Sequence, residues 1–395
     1  MEPGIILDIV LIALLVAFAI RGWRTGLVGS LGSLIGLAAG GVAAFFAIPL
    51  VAGWVPAPEW RGLAAVGAGL VLLAVGYSIG AAIGGLIGSA LHKTPLRVIE
   101  RFLGAVLNVV VTALVVVTAA VGVGSLGIPV LSQAVGSSAV IRTIDRYTPP
   151  QVTAAMAQLR STVVDGASQR VIEAFGGTTE VPAVPDVDTH SQALVAASAS
   201  VVRVSGNAVQ CGRGSTGSGF VFADDLVMTN AHVLAGVNEP VVEVPGAVPK
   251  TGTIVYFDPV NDIAVVRVDG LGAKPLALAP NPAPGSVAVV AGYPFGGPFT
   301  MGGARVMTVA QSMVADITGA NPAPREVVTL AGQVRPGNSG GPLLTEDGAV
   351  TGVVFARDAN EAPIGYALAM DEVMPVVAQA PSLTQPVASG TCLTK

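Results

Sequence analysis

A serine hydroxyl attacks a carbonyl only when a neighbouring base removes its proton and when donors await the oxyanion that forms. Arg335-Pro336-Gly337-Asn338-Ser339-Gly340-Gly341-Pro342 has the composition of such a place. Its glycines permit a tight turn in which the N–H groups of Gly337 and Ser339 converge on one pocket. Gly340 and Gly341 keep bulk away from an approaching substrate backbone. The base is sought among three histidines. His232, in Thr229-Asn230-Ala231-His232-Val233, is the candidate, and His92 and His190 read as plain surface residues. A proton-shuttling imidazole needs a carboxylate to orient it. Asp262, in Asn261-Asp262-Ile263-Ala264, stands at the start of an apolar strand, where a carboxylate is drawn out of water unless it finds a partner. Asp258 precedes Pro259 in a turn and is the weaker candidate. The chemistry implied is acyl transfer with Ser339 as nucleophile, His232 as base and Asp262 orienting the base. It requires no cofactor, and no metal site is expected.

The elements that must hold this set lie in the second half of the chain. From Ser200 onward, short valine-rich runs alternate with Gly, Pro, Asn and Asp turns. Runs at 201–204, 219–222, 226–229, 263–268, 286–292, 303–314, 349–356 and 364–369 predict an all-β body of barrels or sandwiches. The order His, Asp, Ser is that of a chymotrypsin-like double β-barrel, in which the first barrel supplies base and carboxylate and the second the nucleophile. A short helix over 191–199 is expected before the strands and another over 371–378 after them.

The front of the chain has a different composition. Of 395 residues, 52% are hydrophobic and 11% charged, against about 25% charged in an ordinary soluble protein. Residues 2–101 hold six Lys/Arg and four Asp/Glu, whereas 14 and 21 follow from Arg142 onward, so a membrane unit precedes a soluble acidic one. Apolar stretches at about 4–20, 27–51, 63–90 and 104–127 predict an N-terminal four-helix transmembrane domain, since a spanning helix needs ~20 apolar residues. No basic residue precedes the first run and no small-residue cleavage site follows it, which favours an uncleaved span over a signal peptide. Arg21 and Arg24 mark the first loop, and Lys93, Arg97 and Arg101 the third; the middle loop has Arg61 beside Glu59. The positive-inside rule then places the first and third loops in the cytoplasm. The N-terminus and everything after the fourth span fall outside. A multi-pass inner-membrane protein with a periplasmic protease domain is expected. Gly36, Gly40 and Gly41, with Gly76, Gly80, Gly84, Gly85 and Gly88, predict close helix packing in lipid rather than a transport path. Asp8, near the outer end of its helix, is expected to snorkel to the interface, with a functional role as the alternative. A net charge of −5 without any Lys/Arg run gives no electrostatic case for nucleic-acid binding.

Residues 128–190 are expected to be a partly helical linker between the membrane domain, 1–127, and the protease domain, 191–395. Pro149-Pro150 opens a helical spacing through Val152, Met156, Leu159 and Val163, and Gly176-Gly177 closes it. The stretch 178–188, with Pro182 and Pro185, is the exposed linker. The two cysteines, Cys211 and Cys392, both fall in the part placed outside the cytoplasm. One disulfide is expected there, and two buried free thiols are the alternative.

The N-terminal unit, with Leu7-Asp8-Ile9 and Arg21-Gly22-Trp23-Arg24-Thr25-Gly26, resembles the colicin V production family of four-helix membrane domains. Gly217-Ser218-Gly219-Phe220, Thr229-Asn230-Ala231-His232-Val233, Asn261-Asp262-Ile263-Ala264 and Gly337-Asn338-Ser339-Gly340-Gly341-Pro342 together resemble the trypsin-like serine peptidases of the bacterial heat-shock (HtrA/Deg) branch. The two halves joined resemble a group of periplasmic proteases. That resemblance implies work under acid and oxidative stress, a disulfide that supports activity, and cleavage of the chain's own linker. It also borders the substrate pocket with Gln333, with Phe355 in Val354-Phe355-Ala356 and with Gly365 in Ile364-Gly365-Tyr366. No acidic residue stands at the matching pocket base, so an apolar or medium-sized P1 side chain is expected. The expected partners are protein or peptide substrates of the cell envelope and the lipid bilayer; oligomeric state has no signature in the sequence. Two other readings stay open at this stage: a barrel that holds peptides without cutting them, and an accessory domain of a membrane transport or export factor.

Overall fold

The computed structural model describes residues 3–54, 58–91, 96–124, 128–149, 151–152, 155–156, 171–172, 181–208, 213–358 and 363–393. The chain divides into two units, one of residues 8–116 and one of residues 117–395 with 1–7.

The apolar runs at the front form three long helices: α1 (Pro3–Trp54), α2 (Pro58–Leu91) and α3 (Arg97–Gly124). Each contains a stretch long and apolar enough to cross a membrane, at Gly4–Ala44, Gly67–Gly88 and Arg97–Ala120. Four expected spans thus meet three helices, and α1 accounts for the difference because it covers the first two. Its 41-residue apolar stretch would extend roughly 60 Å at ~1.5 Å per residue, about twice the hydrocarbon core of a bilayer. It is interrupted at Gly26, whose φ of 77° and ψ of 174° are not helical. Glycine reaches that φ without a Cβ clash. The break frees amides of the next turn, and Glu100 of α3 reaches one of them: its Oε1 accepts from Val28 N–H at 3.2 Å. A carboxylate at a new helix start is favoured by the dipole. Beyond the break, α1 packs on α2 at backbone contact. A Cβ on Gly36 would lie 2.1 Å from the Gly76 oxygen, and one on Gly80 2.1 Å from the Gly32 oxygen. This is the close approach expected of small-residue stripes in lipid. Gly85 faces open space instead.

In the second unit, α4 (Pro129–Ser137) and α5 (Ala139–Tyr147) fall where the sequence suggested a linker. Most of the helical spacing expected over 151–175 lies outside the described residues. Residues 181–188 are in neither helix nor strand. The helix α6 (Gln192–Ser198) follows, its start capped by Ser191, whose hydroxyl accepts from Leu194 N–H at 3.3 Å.

The strands then build two sheets. The first contains β2 (Val201–Ala208), β3 (Arg213–Ala223), β4 (Leu226–Thr229), β5 (Val241–Glu243), β6 (Lys250–Thr251), β7 (Thr253–Asp258) and β8 (Ile263–Arg267) in the order β6-β5-β2-β3-β4-β8-β7. Its two edges, β6 and β7, are one stretch of chain bent at Gly252, which closes the barrel. The second contains β9 (Val287–Gly292), β10 (Thr300–Ala315), β11 (Pro322–Gly332), β12 (Pro342–Leu344), β13 (Val350–Asp358) and β14 (Ile364–Leu368). Here β12 pairs with β9 and β13 with β14, so the ring closes by hydrogen bonds. A two-residue strand, β1 (Val171–Ile172), lies parallel to β13 beside Arg357 and Asp358. A C-terminal helix, α7 (Met370–Val377), follows the last strand.

The near-continuous apolar runs follow from this arrangement. Successive residues point to opposite faces of a strand, and here both faces are buried. Val202, Val221, Ala264 and Val266 fill the first barrel, and Val290, Leu330, Leu343 and Ala367 fill the second. Their neighbours Val201, Phe220, Ile263, Val265, Val289 and Leu368 form a third core that both barrels share.

Candidate active site

His232 and Asp262 come from adjacent strand ends of the first barrel. Thr229 closes β4, and the chain turns through Asn230 into a short helical turn, Ala231–Leu234, that carries His232. Asp262 immediately precedes β8, which pairs with β4. Its φ of 59° is left-handed, a region in which Asp is among the better tolerated residues. The carboxylate is 3% exposed and meets His232 twice. Oδ1 accepts from the His232 backbone N–H at 2.9 Å, and Oδ2 lies 2.7 Å from Nδ1. A carboxylate oxygen accepts only, so Nδ1 carries the proton and Nε2 is left as the basic nitrogen. Asn230 adds a further tie, its Nδ2 donating to the Asp262 carbonyl at 2.8 Å. Asp258, the weaker candidate, caps its own turn instead, accepting from the N–H groups of Val260 and Asn261 at 2.9 and 3.0 Å.

The turn between β11 and β12 carries Ser339. Gly337 has φ 89°, and a Cβ there would lie 2.3 Å from the Tyr293 oxygen. Both facts demand glycine. Almost every polar group of the turn is engaged. The Pro336 carbonyl accepts from Phe295 N–H at 2.5 Å, that of Asn338 from Gly341 N–H at 2.9 Å, and that of Ser339 from Ser218 N–H at 2.8 Å. The Gly337 carbonyl accepts from the Ser218 hydroxyl at 2.6 Å. Asn338 N–H donates to the Arg335 carbonyl at 3.0 Å and Gly340 N–H to that of Val354 at 2.8 Å. In a trans peptide the N–H points away from its C=O. The fixed carbonyls of Pro336 and Asn338 therefore aim the N–H groups of Gly337 and Ser339 outward. Among the described residues neither amide has an acceptor.

Gly217 of β3 links the two halves of the site. A Cβ on it would lie 2.6 Å from Val233 Cγ2, beside His232, and 2.9 Å from the Ser339 oxygen. Among the described residues, no hydrogen bond joins Ser339 Oγ to His232 Nε2. The pocket candidates are placed less uniformly. Gln333 is exposed and accepts from Arg335 Nη2 at 2.6 Å. Phe355 is buried in the shared core with the buried Arg325 guanidinium 5.7 Å from its ring centroid. Gly365 is buried, and a Cβ on it would lie 2.3 Å from Cγ2 of Val334, a neighbour in the second barrel's core that the local sequence pattern does not mark. Cys392 is not a free thiol, and Cys211 lies outside the described residues. No group of three or more His, Cys, Asp or Glu suited to a metal occurs among the described residues.

Ser218 is the second contributor that sequence reasoning missed. It was noticed as part of a Gly-Ser-Gly segment, yet its hydroxyl both donates to Gly337 and accepts from Tyr293 N–H at 2.8 Å. The third is Arg203 of β2, paired with Glu243 of β5. Asp145 of α5 lies in the field of this pair. Burial raises its pKa, Arg203 opposes that rise and Glu243 adds to it.

Comparison with known proteins agrees with this geometry. Residues 7–149 match the family described as colicin V production protein, a span that takes in α4 and α5, and residues 217–353 match the trypsin-like peptidase domain. A probable periplasmic serine endoprotease, DegP-like, of Halomonas elongata is 30% identical over 173 residues, 42% of this chain and 35% of its own length. Serine protease Rv3671c of Mycobacterium tuberculosis H37Rv is 34% identical over 398 residues, covering 100% of both chains. The crystal structure of the Rv3671c protease in its active form matches with a TM-score of 0.53 at 38% identity, over 57% of this chain and 100% of that one. A full-length likeness at this level, over a double barrel of the same fold, makes the chain a serine protease that belongs to the Rv3671c family.

Proposed function

We propose that the chain is a membrane-anchored, extracytoplasmic serine endopeptidase in which Ser339 is the nucleophile, His232 the general base and Asp262 its orienting carboxylate. The observation that carries this reading is the pair of unengaged amides, Gly337 and Ser339, in a turn whose other groups are bonded. Ser339 Oγ attacks the substrate carbonyl while its proton passes to His232 Nε2. The oxyanion is held by the Gly337 and Ser339 N–H groups, each such donor contributing ~10²–10³ in kcat. The imidazolium, stabilised through Nδ1 by Asp262, returns the proton to the leaving amine as the C–N bond breaks. Water then attacks the acyl-enzyme by the same route, which regenerates Ser339. The Ser339–His232 hydrogen bond is made as substrate binds, as is common for catalytic hydrogen bonds.

Several finer parts of the reading have their own support. The Gly26 break favours two spans within α1, hence four in all, with Arg21 and Arg24 at the cytoplasmic turn and the protease domain outside. The division into 1–127, 128–190 and 191–395 follows the same logic. The chain has two cysteines and Cys392 is not free, which favours a Cys211–Cys392 disulfide. The lack of an acidic residue at the pocket base matched by resemblance favours an apolar or medium-sized P1 residue. Self-cleavage in the linker and a role in acid and envelope stress rest on resemblance alone. The test uses full-length protein in detergent micelles with a fluorophosphonate probe. Wild type is labelled, Ser339→Ala is not, and His232→Ala is labelled far more slowly. A wild type that resists labelling while still binding peptides would leave the non-cutting barrel as the function.

A further inference from the structure

The turn that aims Gly337 is backed by residues 293–297 of the loop after β9. Phe295 N–H holds the Pro336 carbonyl, and Phe295 does so at φ 57°, ψ 21°. That left-handed conformation is rare for a bulky residue and persists only where its surroundings over-determine it. The backbone bonds within the segment run from Gly296 N–H to the Tyr293 carbonyl at 3.0 Å and from Gly297 N–H to that of Pro294 at 2.9 Å, and the Tyr293 hydroxyl donates to the Val201 carbonyl of the other barrel at 3.2 Å. Two side chains of the other barrel reach it. Ser218 accepts from Tyr293 N–H, at one end. Arg203 takes the other end: its Nη1 donates to the Gly296 carbonyl at 2.9 Å across 93 positions of sequence. The Arg203 side chain is 12% exposed, and its Nη2 donates to Glu243 Oε2 at 2.5 Å. Its guanidinium also lies 6.0 Å from the Tyr293 ring centroid, within cation–π range. A guanidinium is a planar fork, so one arm engaged by a carboxylate sets the direction of the other.

We propose that Arg203 is a positioning residue for the oxyanion hole: the Glu243–Arg203–Gly296 bridge fixes Phe295 N–H on the Pro336 carbonyl and thereby the aim of the Gly337 N–H. Arg203 touches no substrate and acts through the loop. The inference rests on the catalytic reading above, in which the Gly337 amide stabilises the oxyanion.

The experiment compares full-length wild type with Arg203→Ala and with the double variant Arg203→Met/Glu243→Leu, in detergent micelles. The double variant replaces a partly buried ion pair by apolar residues, an exchange that proteins often tolerate in stability, and it still removes the bond to Gly296. Turnover of a chromogenic peptide gives kcat and KM. Inhibition by a peptide aldehyde reports the oxyanion donors, because its hemiacetal oxygen occupies the oxyanion's place; the matching peptide alcohol lacks that electrophilic carbonyl and reports ground-state binding alone. Both variants are expected to lose ~10²-fold in kcat, the cost of one oxyanion donor, and to bind the aldehyde weaker by a similar factor. KM and alcohol affinity should stay within about twofold. A double variant with wild-type kcat and aldehyde affinity overturns the proposal, since Arg203→Ala would then suffer only from an unpaired Glu243. Equal weakening of aldehyde and alcohol overturns it too, as a general structural loss. A wild type that is not labelled at Ser339 by the fluorophosphonate overturns the catalytic reading itself. A labelled wild type with unaltered variants overturns the positioning role alone.

Discussion

Replacing Ser218 by alanine removes one hydroxyl and leaves two buried groups without partners. Ser218 is 0% exposed. Its Oγ donates to the Gly337 carbonyl at 2.6 Å and accepts from Tyr293 N–H at 2.8 Å. Each buried polar group left unsatisfied costs ~1–3 kcal/mol, so the pair destabilises the folded chain by roughly 2–6 kcal/mol. At ~2–4 °C per kcal/mol for a domain of this size, the melting temperature should fall by on the order of 5–20 °C. The backbone bond from Ser218 N–H to the Ser339 carbonyl survives the substitution, so Ser339 stays in place while the Gly337–Asn338 peptide and Tyr293, which begins the segment whose Phe295 N–H holds the Pro336 carbonyl and so aims the Gly337 N–H, each lose an anchor. Catalysis should then fall by up to the value of one oxyanion donor, ~10²–10³ in kcat, with KM nearly unchanged because the substrate side chains meet the same walls. The assay is steady-state turnover of a chromogenic peptide beside a thermal melt followed by fluorescence. A Ser218→Ala enzyme with a lowered melting temperature but full kcat would refute the idea that this hydroxyl aims the amide. One that melts like wild type would refute the claim that its two partners are left unsatisfied.

Two further outcomes are expected. Gly36→Leu places a side chain 2.1 Å from the Gly76 oxygen and should drive α1 from α2, seen as loss of the monodisperse peak on size-exclusion chromatography after mild heating in detergent. Gly85→Leu, at a position with open space, should leave that peak intact, and equal behaviour of the two would contradict the seam. Glu326 has its pKa raised, first by the hydrogen bond it shares with Asp371 and then by burial. A carboxyl with a raised folded-state pKa binds its proton more tightly when folded, so its contribution is fully present below the ordinary carboxyl pKa and is lost as pH rises through the raised value. Thermal melts taken from neutral pH down to the ordinary carboxyl pKa should therefore show Glu326 favouring the folded state increasingly as pH falls, and Glu326→Gln should flatten that part of the slope. An identical slope in the variant would remove Glu326 from the account.

The candidate reacting groups were legible because chemistry restricts their types. A serine among glycines, a histidine and a carboxylate at a strand start suit acyl transfer, and all three lie in short segments that can be recognised one at a time. The barrels were legible for a related reason, as valine-rich runs without polar alternation need cover on both faces, which the shared core provides. The residues that aim the site had no such mark. Ser218 acts on Gly337 across 119 positions and Arg203 on Gly296 across 93. Neither partner can be inferred from the local pattern around a serine or an arginine in a strand. Val334 was hidden likewise, because its contact with Gly365 depends on the register of β11 with β14. In the membrane half, composition placed a loop at Arg21 to Gly26. The structure keeps helix on both sides and interrupts it at one glycine, a distinction that depends on Glu100 of a different helix meeting the freed Val28 amide.

The division of labour between the barrels follows from these long-range bonds. His232 and Asp262 are fixed within the first barrel by contacts to each other. The nucleophile turn belongs by sequence to the second, yet its Gly337 and Ser339 carbonyls are held by the first through Ser218. Neither barrel alone presents two aimed amides beside a base. The shared core of Val201, Phe220, Ile263, Val289 and Leu368 is what keeps Ser218 within 2.6 Å of its acceptor. Hydrogen bonds weaken steeply once length and angle leave their narrow optimum, so a slide of one barrel past the other by about an ångström would disarm the oxyanion turn while leaving both barrel interiors packed. On the proposed mechanism, catalytic competence is a property of the interface between the barrels, and the long-range bonds that would set it lie outside the recognisable motifs.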